Sequence, residues 1–185
     1  MLETRHLFLR PWEETPEDAA SLYTYASDPS IGPAAGWPPH ESAEYSAKII
    51  HNILATPGIY AVLPKSLGRP AGGAGLTWGP TGRKWLGERE AEIGYWIGRP
   101  FQGKGYAQEA VKLLLKIAFE EMNMKAVWAG SFEGNDISLH IQEKCGMKWH
   151  HTEPDTYIEK LGEYRTEHFT RITRKEWRIA GEEKA

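Results

Sequence analysis

The sequence predicts an α/β (α+β) fold in which a twisted, mostly antiparallel mixed sheet is interrupted and flanked by helices. Short runs of strand pattern bounded by Gly and Pro clusters alternate with segments of helical period, as layered domains require. Three consecutive strand runs are joined by the turns Ser66-Leu-Gly-Arg-Pro70 and Gly79-Pro-Thr-Gly82, which favour an antiparallel meander. A glycine-rich turn at residues 103–107 then joins the last of these runs to a long amphipathic segment. With 185 residues, 41% of them hydrophobic, the chain can bury one substantial core, and one domain over residues 1–185 is expected.

In order along the chain, Leu2 to Trp12 alternates Leu7 and Leu9 with His6, Phe8 and Arg10 and is stopped at Pro11, as a first strand. Thr15-Pro16-Glu17-Asp18 opens a helix reaching about Ser27, with Thr15 as cap and Pro16 at the first helical position, where its missing N–H is harmless. Asp28 to His40 holds Pro29, Pro33, Pro38 and Pro39 with two glycines and reads as a stiff loop without regular structure. A second helix runs from Ser42 to about Ala55. Gly58 to Pro64, Ala71 to Trp78 and Glu90 to Gly98 form the meander, and the small residues at 71–75 read as close backbone packing within a strand.

From Lys104 to Met122 the apolar Ala107, Ala110, Val111, Leu114, Ile117 and Ala118 recur at helical spacing, opposite a polar stripe of Gln108, Lys112, Lys116 and Glu120. Lys125 to Ala129 is a short strand. Asn135 to Cys145 is a helix that Gly146 and Met147 close in a Schellman stop, and strands at Lys148–Glu153 and Glu163–Ile172 complete the chain.

The formal net charge of -3, with basic residues scattered, argues against nucleic acid as a partner. One cysteine allows neither an intramolecular disulfide nor a cysteine zinc cluster, and Cys145 reads as an inert core residue. No run approaches the roughly 20 apolar residues of a membrane span, and the first residues carry no signal core, so a cytoplasmic protein without membrane association is expected. His150 and His151, adjacent on a strand, should point to opposite faces and cannot chelate one ion, so no metal is assigned.

The chemistry concentrates between Glu92 and Ala110. The first turn of a helix has amides without intrahelical partners and the positive end of the helix dipole, so an anion fits there. Gly103 and Gly105 permit backbone angles closed to other residues, the small residues at 105 and 107 keep bulk away from an approaching oxygen, and Lys104 adds positive charge. The spacing is not the Walker G-x-x-x-x-G-K-[ST], and a dinucleotide fingerprint counted from Gly103 would need glycine where Gln108 stands. It matches Q/R-x-x-G-x-G/A through Gln102, Gly105 and Ala107, directly after the strand E-I-G-Y-W-I. A second block follows, Asn135-Asp-Ile-Ser138-Leu-His-Ile-Gln-Glu-Lys144-Cys-Gly146-Met147.

Together the two blocks resemble the coenzyme A site of the GNAT superfamily of N-acetyltransferases, nearest its RimJ/RimL-like (ribosomal-protein-alanine acetyltransferase-like) branch. The resemblance runs from Arg5 to near Phe169. It implies an acetyl-CoA-dependent N-acetyltransferase. Gln102, Gly103, Lys104, Gly105, Tyr106 and Ala107 would hold the pyrophosphate. Tyr95, Trp96 and Ile97 would offer backbone groups to the pantetheine arm, and Asn135, Ser138 and Lys144 would add contacts from the later helix. In the RimJ/RimL-like branch a serine at the place of Ser138 would help the sulfur leave, while Gln142 stands where many members carry a Tyr that protonates the thiolate. A thiol pKa of about 8.5 makes that loss tolerable.

An acceptor amine arrives mostly as ammonium, so a base must remove a proton before attack. Glu92, on one face of its strand with Gly94 and Trp96, is the first choice and Glu133 the reserve. Trp37 and His40, in the proline-rich loop, fall where the resemblance places the acceptor pocket. The acceptor is either a protein N-terminal α-amine or a small-molecule amine, and the resemblance also implies a homodimer. The rival reading is a non-catalytic acyl-CoA-binding or sensing module.

Overall fold

The computed structural model describes residues 1–182, so the last three positions of the expected 1–185 domain lie outside the described residues. Its strands are β1 (Leu2–Glu3), β2 (Leu7–Pro11), β3 (Ile59–Pro64), β4 (Gly72–Trp78), β5 (Glu90–Ile97), β6 (Ala126–Phe132), β7 (Lys148–Ile158) and β8 (Glu163–Thr173). They form one sheet in the order β1-β2-β3-β4-β5-β6-β8-β7. Every neighbouring pair is antiparallel except β5 and β6. A parallel pair needs a long crossover, and α3 (Tyr106–Lys116) supplies it.

The period-two pattern sorts the two faces. Leu7, Leu9, Ala91, Ile93, Ile97, Val127 and Ala129 pack under Ala110, Val111 and Leu114 of α3, in a core that also takes in Cys145 and Met147. A second core on the opposite face gathers Ala61 and Leu63 of the sheet and Trp12 just beyond β2 under Leu22 of α1 (Pro16–Ala26), with Ile50 just beyond α2 (Ala43–Ile49) and Trp37 and Trp96 packed against it. The helix α4 (Asp136–Lys144) ends in the expected Schellman stop. Gly146 sits at φ +87°, its N–H donates to Glu143 O at 2.8 Å, and Met147 N–H donates to Gln142 O at 3.0 Å.

Several sequence-based boundaries are corrected. The first strand is two strands, because Thr4 closes a turn onto Leu7. The loop at 28–40 contains a single 3₁₀ turn at Pro33–Ala35. The helix expected from Lys104 starts at Tyr106, since Gly105 at φ +79° is its left-handed N-cap. β6 runs on to Phe132 and β7 to Ile158, the latter beyond polar residues that mask its pattern. His150 and His151 do not point apart. A β-bulge between Trp149 and His151 adds a residue, and the two Nδ1 atoms lie 2.8 Å from each other.

The helix α5 (Arg174–Glu182) was not anticipated. Its signal is a capping box: the Glu176 carboxylate accepts from Thr173 N–H (2.9 Å) and Thr173 Oγ1 (2.8 Å), while Glu176 N–H donates to Thr173 Oγ1. These bonds, chiefly the Thr173 N–H with Lys148 second, hold the Glu176 carboxyl at about 2. Because the folded value lies below the unfolded one, this stabilisation is full above the ordinary carboxylate range and fades as pH falls towards 2. Glu176→Ala is expected to lower stability by about 1 kcal/mol at neutral pH in denaturant titration, with the difference closing in acid.

Candidate active site

Two strands that part company define the site. β5 and β6 pair only at Glu90–Glu92 with Ala126–Trp128, after which Ile93–Ile97 and Ala129–Phe132 diverge without ladder partners on each other. The opening leads towards the glycine turn. There, among the described residues, no atom beyond the immediate chain lies within 4 Å of a Cβ built on either Gly103 or Gly105. The ladder of α3 begins with Glu109 N–H donating to Gly105 O at 3.0 Å, so the amides ahead of it point into that open space. Lys104 lies over the Phe101 ring, 5.1 Å from Nζ to centroid, and Tyr106 packs against the core. Gln102 braces the turn, its Nε2 donating to Ile97 O at 2.9 Å. The far end of α4 lies beside this turn, with Cys145 Sγ 3.8 Å from Gln108 O, and the neighbouring Lys144 is exposed. An open cradle of amides at a helix start, continued by unpaired strand edges, fits a pyrophosphate with an extended amide-bearing arm, so these residues fit coenzyme A.

Across the opening from the glycine turn, just beyond the end of β6, Asn135 is the N-cap of α4. Its Oδ1 accepts from Ser138 N–H at 3.2 Å, and its Nδ2 donates to Ala34 O. Ser138 is held from two sides. Gln142 Nε2 donates to Ser138 Oγ (3.1 Å), an orientation fixed because Thr170 Oγ1 donates to Gln142 Oε1 at 2.8 Å. The Tyr95 hydroxyl lies 3.0 Å from Ser138 Oγ and 3.1 Å from Ser138 O. Burial raises the Tyr95 phenol above its ordinary value, so it stays protonated across neutral pH. Sequence reading gave Tyr95 only a backbone role. Tyr95 and Ser138 lie 43 residues apart, a contact that no local pattern encodes.

On the opposite face of β5, Glu92 is one of two carboxylates gripping one guanidinium. Arg83 Nε donates to Glu92 Oε2 at 2.9 Å, and its terminal nitrogens donate to Glu167 at 2.5 and 3.0 Å. Arg83 also lies over the Phe169 ring. Burial raises the Glu92 carboxyl above the ordinary carboxylate range, with Arg83 opposing and Glu167 adding to the rise. Burial works against the charge of Arg83, but the two carboxylates outweigh it and hold the guanidinium firmly protonated. Two carboxylates on one cation leave a net negative charge, which favours an ammonium nearby. Arg83 and Glu167 were missed because the turn cluster and the last strand that carry them have no spacing in common. Glu133 is exposed just after β6, with its N–H bonded to Thr166 O.

Trp37 and His40 come together. Trp37 meets Trp96 edge-on at 5.9 Å and His40 at 5.3 Å. Trp37, His40, Tyr45, Trp96 and Lys160 line a cavity of about 330 Å³. Burial lowers the pKa of His40, whose Nδ1 lies 2.8 Å from Ser46 Oγ, so its imidazole is neutral at neutral pH. Among the described residues no helix is long and apolar enough to cross a membrane, and no group of three or more His, Cys, Asp or Glu could hold a metal ion.

A parallel pair splayed beside a glycine turn is the arrangement of an acyl-CoA transferase fold. Residues 6–148 match the family of the acetyltransferase (GNAT) domain, well over half of the chain, and the chain belongs to that family. It is similar to YdaF of Bacillus subtilis, whose name provisionally makes it a ribosomal N-acetyltransferase, with 41% identity over 59 residues, 32% of each chain. The chain spans about a third to just over half the length of the curated relatives it matches. In fold it is similar to an acetyltransferase (GNAT family) from Bacillus anthracis, with a TM-score of 0.79 and 22% identity over 94% of this chain and 98% of that one. It is also similar to spermidine N-acetyltransferase from Vibrio cholerae in complex with CoA and spermine, with a TM-score of 0.74 and 19% identity over 94% and 99%.

Proposed function

We propose that the protein is an N-acetyltransferase that moves the acetyl group of acetyl-CoA to a primary amine by direct attack in a ternary complex. The observation that carries this is the opening between β5 and β6, with an anion cradle at one end and a partly desolvated carboxylate at the other. Bound acetyl-CoA supplies an activated acetyl thioester. Glu92 removes a proton from the acceptor ammonium, while Arg83 and Glu167 keep that carboxylate in place. The β5 amide near Ile97 polarises the acyl carbonyl. Gly103–Ala107 hold the phosphates, with Lys104 and Lys144 adding positive charge beside them.

Ser138 donates a hydrogen bond to the departing sulfur, which leaves as the thiolate. Gln142 donates to Ser138 Oγ and Tyr95 can donate to it as well, which frees the Ser138 hydrogen to turn towards the sulfur. Tyr95→Phe is expected to lower kcat about 10-fold and leave the Kd of acetyl-CoA within about 2-fold. Ser138→Ala added to it should cost little more, since the two act as one unit. A full multiplicative loss in the double variant would separate them.

The acceptor is a protein N-terminal α-amine, as in the RimJ/RimL-like branch, or a small-molecule amine. The test is mass spectrometry of a mixed panel of short peptides and small amines after incubation with acetyl-CoA, with calorimetry of acetyl-CoA in parallel. A gain of one acetyl group on a panel member supports the transferase. Bound acetyl-CoA with every acceptor unmodified favours the sensing module. Homodimer formation, which rests on the family, is tested by sedimentation.

A further inference from the structure

We propose that the acceptor is a compact primary amine with an apolar, ring-sized body and an anionic group on the far side of that body, and not a polyamine. The inference rests on the transferase reading and names the substrate class of that site. Glu92, Gly94 and Trp96 share one face of β5. Among the described residues, no atom outside its chain neighbours lies within 4 Å of a Cβ built on Gly94, so the middle of that face is open between the carboxylate and the indole. An amine over Gly94 meets Glu92 on one side. On the other, its body reaches Trp96, a wall of the cavity, about 7 Å along the strand.

The cavity is chemically one-sided. Its walls are Trp37, Trp96, Tyr45 and aliphatic side chains, no carboxylate among the described residues lines it, and His40 is neutral. Among the described residues its one charged lining residue is Lys160, exposed in the turn between β7 and β8. The second ammonium of a polyamine would give up its hydration here with no carboxylate in return and would face a like charge. The ring faces attract a cation less than its lost hydration costs. A carboxylate at the same end would face Lys160 favourably. The loop carrying Trp37 is also fastened down, with Arg165 Nη1 donating to Pro33 O at 2.6 Å and Asn135 Nδ2 to Ala34 O at 3.3 Å, so the cavity is preformed.

The experiment compares 4-(2-aminoethyl)benzoate, 2-phenylethylamine, spermidine and a short peptide as acceptors for the full chain with acetyl-CoA. In parallel, each amine is titrated by tryptophan fluorescence in the presence of coenzyme A. The aminoethylbenzoate is expected to have a kcat/KM at least 100-fold above spermidine and about 5-fold above 2-phenylethylamine. Lys160→Glu should reverse the second ratio and leave acetyl-CoA binding unchanged. Spermidine or the peptide matching the aromatic amines in rate or binding overturns the proposal, as does unchanged fluorescence with all of them. Aromatic amines that bind in this order without being acetylated support the pocket assignment and overturn the transferase reading instead.

Discussion

Gly105→Glu is expected to abolish measurable acetyl-CoA binding in calorimetry, a loss of more than 100-fold, while far-UV circular dichroism and melting remain those of a folded protein. The added carboxylate projects into the open space at the start of α3, where the proposed site holds the phosphates, and would replace attraction with repulsion. Gly105 sits at φ +79°, so any side chain there also strains the backbone by about 1–2 kcal/mol. Gly105→Ala separates the two causes. It carries the same strain without charge or length, and should weaken binding less than about 10-fold. Equal losses in the two variants would make the turn a purely structural element.

Glu92→Gln is expected to lower kcat/KM about 100-fold at neutral pH and to change the shape of the pH profile. Burial raises the Glu92 carboxyl, so the unmodified protein should show an acid limb above the ordinary carboxylate range. Activity is full where the carboxylate is ionised and is lost as pH falls through its raised pKa. In Glu92→Gln that limb should disappear, and the rate should climb with pH as more acceptor exists as free amine. Glu167→Gln keeps the Glu92–Arg83 contact and should give a smaller loss with the acid limb present. An acid limb that survives in Glu92→Gln but vanishes in Glu167→Gln would move the base to Glu167.

The sequence made the local features legible and left the long-range ones hidden. The Thr15 cap, the alternation of Leu7 and Leu9, the amphipathic stripe of α3 and the Gly146 stop each lie within a few residues and obey a fixed period or capping rule. The glycine turn was legible for the same reason, since strand, turn and helix are contiguous. The Arg83 clamp joins residues as much as 84 apart, and Tyr95 reaches Ser138 across 43 residues. Such contacts exist only once the sheet order is known. The bulge that turns His150 and His151 towards each other was hidden because one inserted residue undoes strict alternation. The Thr173–Glu176 box was visible in principle, but strand pattern persists up to Ile172 and the helix is short.

The run of small residues in β4 has an effect one strand away. Gly73 lies opposite Trp96, and a single methyl group at position 73 would come within 2.7 Å of Trp96 Nε1. The indole that walls the cavity stands where it does because its neighbour has no side chain. Drift at position 73 would turn that wall inward and narrow the range of bodies admitted, with every residue that touches the acceptor still in place. If the proposed cavity takes the acceptor, selectivity is partly inherited through a position that does not line it, and two descendants with identical pocket residues would prefer different amines.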